Sequence, residues 1–116
     1  MLSEEILKIA ASALDNKKAE AITALKVDEL TSLTEYFLIA TAASSAHVRA
    51  LTDEVEEKLS EKDVLPHHIE GRSTGWIVLD YGDVIIHIFT AKEREFYGLD
   101  RMWADAAEVD IKEIFN

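Results

Sequence analysis

A chain of 116 residues that is 48% hydrophobic and 30% charged has the size and make-up of one globular domain, residues 1–116, with no linker, repeat or low-complexity stretch. It contains no cysteine, which excludes disulfides, thiolate chemistry and cysteine-ligated metal sites together and suits a reducing compartment. The 23 acidic residues against 12 basic ones give a formal net charge of −11, which opposes a phosphate backbone and leaves two readings open: docking onto a basic protein, or solubility alone.

The opening MLSEEILKIA carries two glutamates where a signal or transit peptide would carry positive charge. The apolar run at 85–91, interrupted by His87, is far too short to span a bilayer. A cytoplasmic protein with no membrane and no DNA partner is expected.

Ser3 is positioned to cap a helix, with Glu4 and Glu5 in its first turn and Ile6, Ile9, Ala10, Ala13 and Leu14 at helical spacing to about Asp15. Residues 21–27 have the length and β-branching of a strand, and 28–34 read as a connection. Residues 36–41 are apolar on both parities, as in a central strand covered on both faces. Ser44 or Ser45 then caps a long helix whose apolar stripe is Val48, Leu51, Val55 and Leu59. Pro66 follows the end of that helix, and residues 67–70 are short enough for an edge strand.

After a loop at 71–75, residues 76–81 and 84–89 form two strands joined by Gly82-Asp83. A two-residue loop pairs Tyr81 with Val84, Leu79 with Ile86 and Ile77 with Ile88 on an apolar face. The other face then carries Asp80 opposite Ile85, Val78 opposite His87 and Trp76 opposite Phe89. A three-residue loop would scramble this sorting. Thr90 and Glu93 fit a capping box for a short helix that Gly98 stops, and another helical turn carries Met102 and Trp103. Residues 108–116 read as a weakly helical, mobile tail.

Gly71-x-Ser73-x-x-Trp76, followed by Asp80 and Asp83, resembles the Gly-Ser loop and paired aspartates with which nucleotidyltransferases hold a nucleotide and magnesium. These aspartates stand three apart across a tight turn, and no basic group is placed for a triphosphate, so a structural hairpin is the simpler reading. His67-His68-x-Glu70 lacks a second pair of ligands, so no metal or cofactor is expected. His87 reads as a half-buried, hydrogen-bonded histidine. Trp76, Tyr81, Phe89, Tyr97 and Trp103 gather in the last third of the chain. On a mixed face, Trp76 and Phe89 would serve as interface anchors with an acidic rim.

The string running from Gly75-Trp76-Ile77-Val78-Leu79-Asp80-Tyr81-Gly82-Asp83 to Phe89, followed by Arg94-Glu95-Phe96-Tyr97-Gly98-Leu99 and Met102-Trp103-Ala104-Asp105-Ala106, resembles the ribosomal silencing factor (Iojap-like) family. Tyr36-Phe37-Leu38-Ile39-Ala40-Thr41, Ser44-Ser45-x-His47-Val48 and Ile69-Glu70-Gly71 extend the resemblance over nearly the whole chain. Ala42-Ala43 stands where that family often has Gly-Asn, and Ala91 where proline is frequent.

The resemblance implies a single-domain α/β fold: a mixed β-sheet flanked by helices, in outline like a nucleotidyltransferase but without its active site. It implies a non-enzyme that binds the large ribosomal subunit through its fourteenth protein and blocks joining of the small subunit, repressing translation when nutrients are short. A role in large-subunit assembly, and a homodimer in the free state, are also implied. The matching contact residues are Trp76, Asp80, Tyr81, Asp83, His87 and Phe89. Trp76 and Phe89 would anchor, Tyr81 would offer a ring with a polar tip, and Asp80 and Asp83 would complement a basic protein.

Overall fold

The structure, a computed structural model, describes residues 1–71, 75–110 and 113. Its elements run α1 (Ser3–Asn16), β1 (Glu20–Lys26), β2 (Tyr36–Ala42), α2 (Ser45–Ser60), β3 (His68–Glu70), β4 (Trp76–Asp80), β5 (Val84–Thr90), α3 (Ala91–Tyr97), α4 (Leu99–Met102) and β6 (Ala107–Val109). The strands form one six-stranded sheet in the order β3-β4-β5-β2-β1-β6. Among the described residues only β2 and β5 run parallel, and the connection between them is long enough to contain α2, β3 and β4.

Every residue of β2 is buried. Its alternate side chains feed two cores, because successive residues of a strand point to opposite faces. Tyr36, Leu38, Ala40 and Ala42 join Ile77, Leu79, Val84, Ile86 and Ile88 beneath α1 and α2. Phe37 and Ile39 join Leu25, Val27, Phe89 and Leu99 on the opposite face. The α2 stripe is the expected one, Val48, Leu51, Val55 and Leu59, and Ser44 is its N-cap, accepting the His47 N–H at 3.1 Å. His47 also ties the two helices together: Nδ1 accepts from the Ala43 N–H and Nε2 donates to the Lys17 carbonyl, both at 2.8 Å.

Three local expectations are corrected. Leu2, not Ser3, occupies the N-cap of α1, and the Ser3 hydroxyl instead donates to Glu35, which tethers the helix to the chain entering β2. The capping box at α3 is half made: Thr90 Oγ1 accepts from the Glu93 N–H at 3.4 Å, but the Thr90 N–H donates to the Gly75 carbonyl at 3.0 Å. The strand edge has taken the donor that Glu93 would have used. Residues 107–109 form β6 and pair antiparallel with β1, so the expected tail begins inside the sheet. Of the rest of that tail, only Asp110 and Glu113 fall within the described residues, and of the 71–75 loop only its two glycines do.

The short helices α3 and α4 cover the second face, and α3 buries none of its own residues. Arg94 holds them down. Its guanidinium meets Asp100 in a bidentate pair at 2.9 and 2.8 Å and reaches across to β1 and β2, donating to the Ala21 carbonyl at 2.7 Å, Thr41 Oγ1 at 2.9 Å and Thr23 Oγ1 at 3.2 Å. The Ala21 carbonyl belongs to a bulge in the β1–β2 ladder, where the register shifts between Glu20 and Thr23 and Ala21 has φ 49°. A bulge frees backbone groups from the ladder, and Arg94 satisfies this one. The hydrogen bonds from Arg94 hold the Asp100 carboxyl below its ordinary range. Replacing Arg94 with Ala should cost on the order of 2 kcal/mol in urea unfolding, and Lys, which lacks the planar fork, should recover less than half of it.

Candidate functional site

The β4–β5 hairpin has the register its sequence predicts: Trp76 faces Phe89, Val78 faces His87 and Asp80 faces Ile85. The tip is built by Asp80-Tyr81-Gly82. Asp80 Oδ1 accepts the Gly82 N–H at 2.8 Å, and Gly82 turns the chain with φ 84°. A Cβ at Gly82 would also come within 2.9 Å of the His67 ring. The Asp83 carbonyl accepts from the N–H groups of Glu35 and Tyr36, both at 3.0 Å, which fastens the tip to the start of β2.

Trp76 is the hub of an aromatic series on the second face. It stacks on Phe89 with ring centroids 4.9 Å apart and meets Tyr97 at 4.5 Å. Tyr97 in turn meets the exposed Phe96 at 5.0 Å. In the other direction His87 packs edge-on against Phe37, which packs edge-on against Trp103. The series therefore runs from solvent at α3 into the core beneath α4, with Trp76 at the boundary.

The indole N–H of Trp76 donates to His87 Nδ1 at 3.2 Å. That assigns His87 as the neutral tautomer with its proton on Nε2, and Nε2 is buried with no hydrogen-bond partner among the described residues. Burial pushes the His87 pKa from 6.5 down to about 4, since an imidazolium here would lose its hydration.

The six residues expected to make contacts are not equivalent. Trp76, Asp80, His87 and Phe89 lie on the second face, but Phe89 is 0% and His87 7% exposed, so both lie beneath the surface. Tyr81 lies on the opposite face, in the core under α1 and α2, and is 5% exposed. Its hydroxyl has no hydrogen-bond partner among the described residues, and burial, then the charge of Glu56, pushes its pKa up to about 12. Asp83 stands exposed at the tip. The surface-accessible members are thus Trp76, Asp80 and Asp83. Phe96 and Tyr97 join them; their sign in the sequence was a pair of aromatics ending a helix that has no apolar stripe.

Asp80 closes the turn and lies 3.8 Å from His68 Nε2, while His68 and Glu70 sit 3.6 Å apart on β3. Among the described residues no group of three or more His, Asp or Glu is placed to hold a metal ion. Ser73 of the Gly71-x-Ser73 pattern lies outside the described residues.

Two outcomes test these assignments. Between pH 7 and pH 4 the unfolded chain takes up a proton on His87 that the fold refuses until about pH 4. The stability present above pH 6.5 is therefore lost as pH falls through this window, by about 3 kcal/mol, and His87→Gln should flatten that part of the profile in urea melts at stepped pH. Tyr81→Phe, which removes an unpartnered hydroxyl, should leave stability unchanged or raise it by about 1 kcal/mol in the same assay.

Comparison with known proteins supplies a family context for the chain. The family model described as "Ribosomal silencing factor during starvation" matches residues 2–116. The chain is similar to a protein of Bacillus subtilis named as a ribosomal silencing factor, 37% identical over 112 residues that cover 96% of this chain and 95% of that one. It is likewise similar to a Halalkalibacterium halodurans protein of the same name, 32% identical over 117 residues and the full length of both. A crystal structure of a Chromobacterium violaceum protein superposes with a TM-score of 0.86 at 34% identity, covering 90% of this chain and 88% of that one.

Proposed function

The chain belongs to the ribosomal silencing factor family, and from that premise we propose that it represses translation by occupying the large ribosomal subunit and keeping the small subunit from joining. The fourteenth protein of the large subunit is the proposed contact. The single observation that carries the docking surface is the aromatic series surfacing at Trp76, Tyr97 and Phe96 on a chain of net charge −11. Large amphipathic rings anchor protein interfaces, and the overall charge favours a basic protein over RNA as the immediate partner.

In this reading Trp76 is the anchor, with Phe89 and His87 holding its ring from beneath. Asp80 and Asp83 stand at the hairpin tip, at the other end of β4 from Trp76, and complement positive charge on the partner. Tyr81 shapes the hairpin from the other face. The mechanism is steric and needs no covalent step: a body of about 33 × 32 × 27 Å on the joining surface prevents close approach of the small subunit.

The test mixes the protein with isolated large subunits, adds small subunits and resolves the products on a gradient. Whole ribosomes should fall in proportion to occupancy, and undiminished joining at saturating protein would overturn the proposal. Trp76→Ala should weaken binding to large subunits by roughly 10–100-fold, as expected of a central aromatic anchor, while Tyr81→Phe should bind like the parent chain.

A further inference from the structure

A net charge of −11 opposes a phosphate backbone when the chain is taken as a whole, but the fold does not spread its charge evenly. On the helical face, opposite Trp76, a groove of about 280 Å³ runs between α1 and the end of α2. Lys8 from α1 meets Lys58 and Lys62 there, three lysines that are far apart in sequence, and Glu61 is the one acid lining the groove among the described residues. We propose that this groove holds the phosphate backbone of an RNA strand. The choice of RNA as the source of phosphate rests on the function proposed above; the groove itself does not.

Three features support a phosphate occupant. The first is that the lysines are not consumed by the helix end beside them. The Glu57 carbonyl accepts from the Glu61 N–H at 3.1 Å, the Leu59 carbonyl from Lys62 and Val64 at 3.0 Å, and the Ser60 carbonyl from Asp63 at 2.9 Å, so the closing carbonyls of α2 need no ammonium as a cap. The second is the weakness of the internal pair. Lys58 Nζ stands 3.9 Å from Glu61 Oε1, beyond hydrogen-bond range, with both side chains exposed, and an exposed pair of this kind holds its lysine loosely. The third is the lining between the charges. Ser12 and Asn16 bring a hydroxyl and an amide, which can donate to phosphate oxygens and exchange hydrogen bonds with a ribose 2′-hydroxyl, while Ile9 and Ala13 give the sugar an apolar floor.

The sheet then separates two kinds of contact. Aromatic rings and acidic groups on one side suit a basic protein, and the lysine groove on the other suits RNA.

The first experiment follows the backbone amide resonances of Lys8, Ser12, Asn16, Lys58 and Lys62 during titration with a short oligouridylate, or with polyglutamate of matched charge, across a salt series. The oligouridylate should shift these resonances saturably, with log binding constant falling against log salt at a slope of about −2, as for three phosphate contacts on a single strand. Lys8→Gln combined with Lys62→Gln should weaken binding by roughly tenfold at low salt and reduce the slope to about −0.7, whereas Lys8→Arg combined with Lys62→Arg should bind like the parent chain. Equal shifts from polyglutamate, or an unchanged response in the glutamine variant, would overturn the proposal.

The second experiment measures co-sedimentation with large subunits. The glutamine variant should bind several-fold more weakly than Lys26→Gln combined with Lys92→Gln, which removes equal charge away from the groove. If the two variants match while the parent chain binds, the groove does not hold ribosomal RNA and the ribosomal reading stands. If the parent chain does not sediment with large subunits, the ribosomal reading is wrong, and the oligouridylate titration still decides what the groove accepts.

Discussion

Burial of β2 along its whole length requires cover on both faces of the sheet, and the rest of the architecture meets that demand. An apolar strand exposed on one side would leave Phe37 and Ile39 in water, at a cost of roughly 2–3 kcal/mol for each large side chain. The α1–α2 layer protects one face with continuous apolar stripes. The other face has no such helix available. It is closed by aromatic side chains from the strands themselves, by Leu99 and Trp103, and by two short helices that could not stay in place on apolar contacts alone.

This explains the weight that falls on Arg94. Its side chain is largely withdrawn from solvent, and its contacts span α4, the β1 bulge and β2. Backbone irregularity in β1 and the placement of α3 are thus one arrangement: the carbonyl freed by the bulge is what the helix-borne guanidinium binds. With α3 fixed, Tyr97 is brought against Trp76, and an aromatic surface forms where the sheet would otherwise end.

Trp76 occupies the boundary between stability and recognition. Its inward contacts, the stack on Phe89 and the hydrogen bond to neutral His87, belong to the core, while its outward contact with Tyr97 belongs to the surface. In the proposed docking, an anchor already held in position would lose little conformational freedom on binding, so preorganisation by Phe89 and His87 would favour it without either residue reaching a partner.

Much of this molecule was legible from local pattern. The hairpin register followed from the period of two in a β-strand combined with a Gly-Asp loop, and the α2 stripe from the helical period. The apolar character of both parities in β2 predicted a central strand, and the resemblance in the hairpin and the following helix predicted the family. What period cannot reveal is which elements meet across long sequence separations. Pairing of β6 with β1, diversion of the Thr90 N–H to Gly75, and the reach of Arg94 to Ala21 and Thr41 all depend on such meetings. The same limit applied to the site. Sequence placed Trp76, His87 and Phe89 on one face, but only the packing of α3 and α4 decided that Phe89 and His87 are covered and that Trp76 and Tyr97 surface together. Strand parity determines the face on which a side chain stands; the layer packed over that face determines whether a partner can touch it.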